Sequence, residues 1–264
     1  MHPFDYVRAS SVSDALAAHV GDARYLAGGQ SLVQSMKLRL SASQTLVDLG
    51  AVSSLSGVTW RDDRVVIGAM TTHAEVASSA VVREHVVALA ELASGIGDPM
   101  IRQLGTIGGS LANADPAACY PAAVLALQAQ VHTDRRVVQA QDFFVDLYQT
   151  ALQPGELIES VSFAPCAQAA YAKFKQPASR FALVGVFVAR TASEVRVAVT
   201  GAMPRVFRCE ALEQALMQEF SPDAARRVRV GAQGLMSDLH GSAAYRAAMI
   251  SVMAARAVSA VLAR

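Results

Sequence analysis

Two short stretches carry the residue types best suited to holding a charged ligand. Residues 25–40 read YLAGGQSLVQSMKLRL and residues 105–117 read GTIGGSLANADPA. Each contains a glycine pair, Gly28-Gly29 or Gly108-Gly109, beside hydroxyl side chains: Ser31 in the first, Thr106 and Ser110 in the second. Glycine reaches positive φ and lets backbone N–H groups approach a ligand without a Cβ in the way. Several such N–H groups turned one way make an anion nest, and a helix beginning there adds the positive end of its dipole. One such pair would be read as a tight turn. Two of the same character, facing each other, would clamp a pyrophosphate from both sides.

Neither stretch has the GxGxxG spacing of a Rossmann fingerprint, and no Walker motif is present. Asp48, 20 residues beyond Gly28, stands where a ribose-binding acid would, although an Asp at a strand end reads equally well as a turn cap. There is no GxSxG elbow and no HExxH, and the six histidines lack metal-ligand spacing. His73, after Thr71-Thr72 at a helix start, reads as a capping-region or surface residue rather than a catalytic one. Without an acid/base set, the chemistry falls to a cofactor.

The three cysteines, Cys119, Cys166 and Cys209, form no CxxC, so no zinc knot or iron–sulfur cradle is built locally. A sparse, odd set suggests the reducing cytoplasm. With 53% hydrophobic and 17% charged residues in 264, the chain is not disordered, and part of its apolar surface is expected to be covered by a partner. A net charge of +1 gives no pull toward nucleic acid. The N-terminus lacks a signal-peptide core, and no apolar run is long enough to suggest a membrane span.

The elements that position the two loops follow from periodicity. SVSDALAAHV reads as a helix with a serine cap, ARYLAGG as a strand ending at the glycines and QTLVDL as another strand. GVTWRDDRVVIGAM reads as a hairpin turning at Asp62-Asp63, followed by a helical stretch over 72–97 broken near Ser78-Ser79. A helix through YPAAVLALQAQ follows the second loop, with strands at RVVQAQ and ELIESVSF. From about residue 170 the pattern changes to alternating strands, RFALVGVFVAR and EVRVAVTGA, and then three helical runs.

AGGQSL with MKLRL, TIGGSLANADPAACYPAAVLAL, TALQPGELI and KFKQPASR, in that order, closely resemble the FAD-binding medium subunit of the xanthine dehydrogenase and carbon monoxide dehydrogenase family of molybdenum hydroxylases. The likeness spans nearly the whole chain. It implies an α+β protein: a two-part α/β FAD-binding region of the vanillyl-alcohol-oxidase-like (PCMH) type, then a C-terminal antiparallel sheet with three helices. The implied divisions are 1–55, 56–168 and 169–264.

By the same likeness Ala27, Gly28, Gly29, Gln30, Ser31 and Leu32 hold the FAD from one side, and Thr106, Ile107, Gly108, Gly109 and Ser110 from the other. Ile158 and Lys175 fall beside the isoalloxazine ring. Many relatives carry an acid where this chain has Cys119, a contact to ribose or adenosine. Cysteine accepts no strong hydrogen bond, so that role passes to Asp115 or Asn113, or the adenosine end is held less tightly. The cysteine spacing excludes the extra iron–sulfur insertion of relatives that reduce aromatic thioesters.

The resemblance implies a cytoplasmic electron-transfer subunit, with 2Fe–2S clusters on a small partner and a molybdopterin-type molybdenum cofactor on a large one. The implied assembly is a heterotrimer, with pairing into a hexamer as its larger form. Alternatives are a stand-alone flavin oxidase of the same fold and a flavin-less assembly subunit.

Overall fold

The computed structural model describes all residues, 1–264. The chain first folds β1 (Asp5–Arg8), α1 (Val12–Ala18), β2 (Ala23–Leu26), α2 (Leu32–Lys37) and β3 (Thr45–Asp48). These strands make a parallel sheet in the order β1-β3-β2. Because β3 lies between the other two, β2 ends beside it and delivers the first glycine loop directly to the head of α2. Ser11 caps α1 by accepting from the N–H of Asp14.

A second sheet follows. It is entered by β4 (Val58–Arg61) and β5 (Arg64–Gly68), whose turn has Asp62 and Asp63 both at positive φ, 52° and 53°. Two such residues define the tight hairpin turn whose twist matches paired strands. Five helices come next: α3 (His73–Ser78), α4 (Ala80–His85), α5 (Val87–Ser94), α6 (Pro99–Leu104) and α7 (Ile107–Asn113). The break falls at Ser79, whose extended backbone ends α3 while its hydroxyl caps α4. Then run α8 (Tyr120–Ala126), β6 (Gln130–Thr133), β7 (Val137–Gln139), α9 (Ala140–Phe143), a short hairpin of β8 (Phe144–Asp146) and β9 (Gln149–Thr150), and β10 (Ile158–Phe163). The sheet order is β4-β5-β10-β6-β7.

The last part is a four-stranded antiparallel sheet, β11 (Gln168–Lys175), β12 (Ala182–Arg190), β13 (Val195–Thr200) and β14 (Phe207–Arg208), with α10 (Glu210–Gln218), α11 (Pro222–Arg227) and α12 (Ala243–Leu262). Its central strand β12 is buried on both faces. Val184, Val186 and Val188 enter the core beneath the C-terminal helices, while Phe187 and Ala189 enter the large core around α5 and α8. The alternation of a strand thus ties the C-terminal sheet to the middle of the molecule. Helix α12, at 20 residues, is long and apolar enough to cross a bilayer, but more than half of it is buried in this core. Length and composition alone make it a span candidate, and its packing is that of a core helix.

Candidate functional site

The two glycine loops touch. A Cβ on Gly28 would lie 1.9 Å from the carbonyl oxygen of Leu104 and 2.9 Å from the Cα of Gly105. Gly109 faces the same seam, where a Cβ would come within 3.3 Å of that of Ala27. Bare backbone at 28 is therefore what lets the first loop close against the second.

The loops differ in what they offer. In the first, the backbone N–H groups of Gly28, Gly29, Gln30 and Ser31 donate to no acceptor of the protein. Gly29 has φ +68°, and the Gln30 side chain donates from Nε2 to the carbonyl of Gly28 at 3.0 Å, holding the turn. In the second, the amides are largely spent. Ile107 donates to Thr71 O, Gly108 to Ala69 O at 2.8 Å, and Gly109 to the capping hydroxyl of Thr106 at 3.1 Å. This loop contributes a smooth backbone and the Ser110 hydroxyl rather than a second set of free amides. The helices that follow have six and seven residues, so neither brings a long dipole.

A cleft of about 410 Å³ runs along this seam, within the range of ligand pockets. Ala27, Gly28, Gly29, Gln30, Ser31, Leu32, Thr106, Gly108, Gly109, Ser110, Asn113, Asp115 and Ile158 line it. Two expected residues do not. Ile107 is fully buried and points into the large core, because its position in the first turn of α7 faces away from the cleft. Lys175 stands exposed at the end of β11, where the pairing with β12 shifts register, and Lys173 lines the cleft instead.

The wall near Asp115 carries the altered chemistry. Asp115 accepts from the N–H of Ala117 at 2.8 Å and from the Tyr148 hydroxyl at 3.4 Å, and burial raises its pKa. Cys119 is buried beside Lys173, whose Nζ lies 3.3 Å from its Sγ and also donates to the carbonyl of Arg180 at 3.0 Å. Lys173 thereby pins the 176–181 segment, whose Ser179, Arg180 and Phe181 form the C-terminal rim of the cleft. Asp48 is not in the cleft. It accepts from the N–H of Gly50 at 2.9 Å and from the Tyr6 hydroxyl, a turn cap rather than a ribose ligand.

At the other end Glu156 is clamped by Arg136 Nε at 2.9 Å, the Thr133 hydroxyl at 2.8 Å and the Gln153 N–H at 2.7 Å. Those bonds, led by the Arg136 pair, hold its carboxyl down to about 2. Tyr25 donates to the carbonyl of Gly155 at 3.0 Å, and burial pushes its phenol up to about 12. Together they fix the turn that delivers Leu157 and Ile158 to the cleft.

His73 is also in the wall, where it is only 5% exposed. Its neighbours Thr71 and Thr72 suggest a capping-region or surface position. The structure has it in the capping region, as the first residue of α3 directly after the Thr72 cap, but buried rather than at the surface. The apolar run after it, with Val76 on the same buried face, was the available signal.

Four free amides, unpartnered serine hydroxyls and a bare-backbone seam fit an elongated anionic ligand such as a dinucleotide. A protein that holds a dinucleotide between two glycine loops is the class this cleft defines. Residues 2–165 match the family described as FAD binding domain in molybdopterin dehydrogenase, and the chain belongs to that family. It is 34% identical over 280 residues to the carbon monoxide dehydrogenase medium chain of Hydrogenophaga pseudoflava, covering 99% of this chain and 98% of that one. It is 35% identical over 281 residues to the alpha subunit of the 6-hydroxypseudooxynicotine dehydrogenase complex of Paenarthrobacter nicotinovorans, covering 99% and 95%. Among solved structures, reconstituted CO dehydrogenase from Oligotropha carboxidovorans superposes with a TM-score of 0.92 at 32% identity, over 100% of this chain and 99% of that one.

Proposed function

We propose that this chain is the cytoplasmic electron-transfer subunit of a molybdenum hydroxylase, assembled with a small 2Fe–2S subunit and a large molybdenum subunit. FAD held there would supply the redox chemistry that links the iron–sulfur centre to an external acceptor. The observation that carries this reading is the close contact of Gly28 with Leu104 and Gly105, with four unspent amides on the first loop at the edge of the cleft.

The protein's own residues have distinct tasks in it. Gly28 to Ser31 and the Ser110 hydroxyl hold the pyrophosphate. Asp115 and Asn113 serve the adenosine end, where Cys119 cannot accept a strong hydrogen bond. Ile158 and Leu157, held by Glu156 and Tyr25, form a dry wall for the flavin ring. Lys173, rather than Lys175, is the lysine of the cleft. In this reading, selection of the organic or gaseous substrate belongs to the large molybdenum subunit.

The test is a complex carrying Gly28→Ala and depleted of FAD. Substrate should still bleach the iron–sulfur absorption while reduction of the external acceptor is lost. Acceptor reduction at the wild-type rate in the flavin-free complex would contradict the proposal.

A further inference from the structure

The second glycine loop rests on a histidine whose ring makes no hydrogen bond within the protein. His73 opens α3, and the cap of that helix is complete without it, since Thr72 and Glu75 satisfy one another in a capping box. The backbone N–H of His73 is also met, donating to the carbonyl of Gly105 at 2.9 Å. The imidazole itself is unpartnered. Nδ1 is sealed in the interior, whereas Nε2 is the nitrogen that keeps access to the cleft. Nε2 lies against Gly105, where a Cβ would come within 2.6 Å of it, and the ring packs on Tyr120 with centroids 5.3 Å apart.

Burial, with the Arg102 charge adding to it, lowers the pKa of this imidazole to about 4, so the ring is neutral and carries a single N–H. A buried N–H is rarely left unmet, and a lone pair somewhat more often. The proton therefore belongs on Nε2, which makes the cleft-facing atom a donor. It stands where donors are scarce, because the neighbouring amides of Ile107 and Gly108 are already spent on Thr71 and Ala69.

We propose that His73 is a further ligand-binding residue, its neutral Nε2–H donating to an oxygen in the ADP half of FAD beside the second glycine loop. This rests on the FAD reading above. A fixed neutral donor supplies the missing hydrogen bond without the desolvation cost of a buried cation. It also accounts for a polar ring kept at a place where packing alone would favour an apolar one.

The test uses the full chain in its native complex, stripped of flavin and titrated with FAD and separately with ADP, for wild type, His73→Leu and His73→Phe. Both variants should weaken FAD and ADP alike, by about tenfold, the factor expected for one lost hydrogen bond. Their flavin-free forms should melt no lower than wild type, because an unmet polar group has been removed. Wild-type affinity in a folded variant overturns the proposal, as does loss of FAD binding without loss of ADP binding. Flavin-free variants that both melt well below wild type, or fail to fold, give the ring a packing role and overturn it too. Absence of FAD binding by wild type would instead overturn the reading on which it rests.

Discussion

The Cα of Gly28 stands so close to the Leu104 carbonyl that no side chain fits between them, since a Cβ would lie 1.9 Å from that oxygen. Residues far apart in the chain thus meet backbone to backbone, and the cleft exists because they do. Gly28→Ala must push the two loops apart. Overpacking of this kind costs about 1–3 kcal/mol. The expected outcome is a lower melting temperature together with FAD binding weakened by at least about tenfold. Calorimetric melting and flavin content per chain check it.

Thr106 caps α7 through the N–H of Gly109, so its hydroxyl shapes the second loop as well as lining it. Thr106→Val should lose about 1 kcal/mol of stability and Thr106→Ser should keep it. Chemical denaturation of the two variants side by side measures the difference.

Glu156 yields a pH prediction. Its folded-state pKa is depressed to about 2 from the ordinary 4.5, chiefly by Arg136. The resulting stability is fully present above about pH 4.5 and is lost as pH falls toward 2. Glu156→Gln should therefore destabilise by about 2 kcal/mol at neutral pH and flatten the acid limb between those values. Denaturation series across the acid range, wild type against variant, read this directly.

The two lysines of β11 separate cleanly. Lys173→Met removes the bond to the Arg180 carbonyl and frees the 176–181 rim, so FAD binding should weaken several-fold. Lys175→Met should leave flavin affinity unchanged, because that side chain lies outside the cleft. Equal effects from the two would contradict this assignment.

What the sequence made legible was set by local chemistry. The Asp62-Asp63 turn, the Ser79 break and the paired strands around Val184–Val188 each follow from residues a few positions apart. Strand β1 escaped notice because all four of its residues are exposed, so it has no alternation to read, and it is defined only by pairing with β3. Helix α6 buries none of its six residues and shows no periodic face. Strand β6 is missed and the helix before it is run on to Gln130, since the boundary is a left-handed Gln128 rather than a glycine.

At the site, the glycine loops were legible as a pair, but their inequality was not. Which amides are spent depends on partners at Ala69 and Thr71, more than 30 residues away in the chain. The burial of His73 and the presence of Lys173 rather than Lys175 in the cleft wall are likewise tertiary facts, set by Gly105 against the ring and by the register shift at the end of β11.

The most direct test of the central claim is the visible absorption spectrum of the natively purified chain with its partners, taken before and after acid release of small molecules. A flavin spectrum with one FAD released per chain, over residual iron–sulfur absorption, is the predicted result. A folded, assembled chain that releases no flavin would contradict it, and the seam between Gly28 and Gly105 would then be scaffold alone.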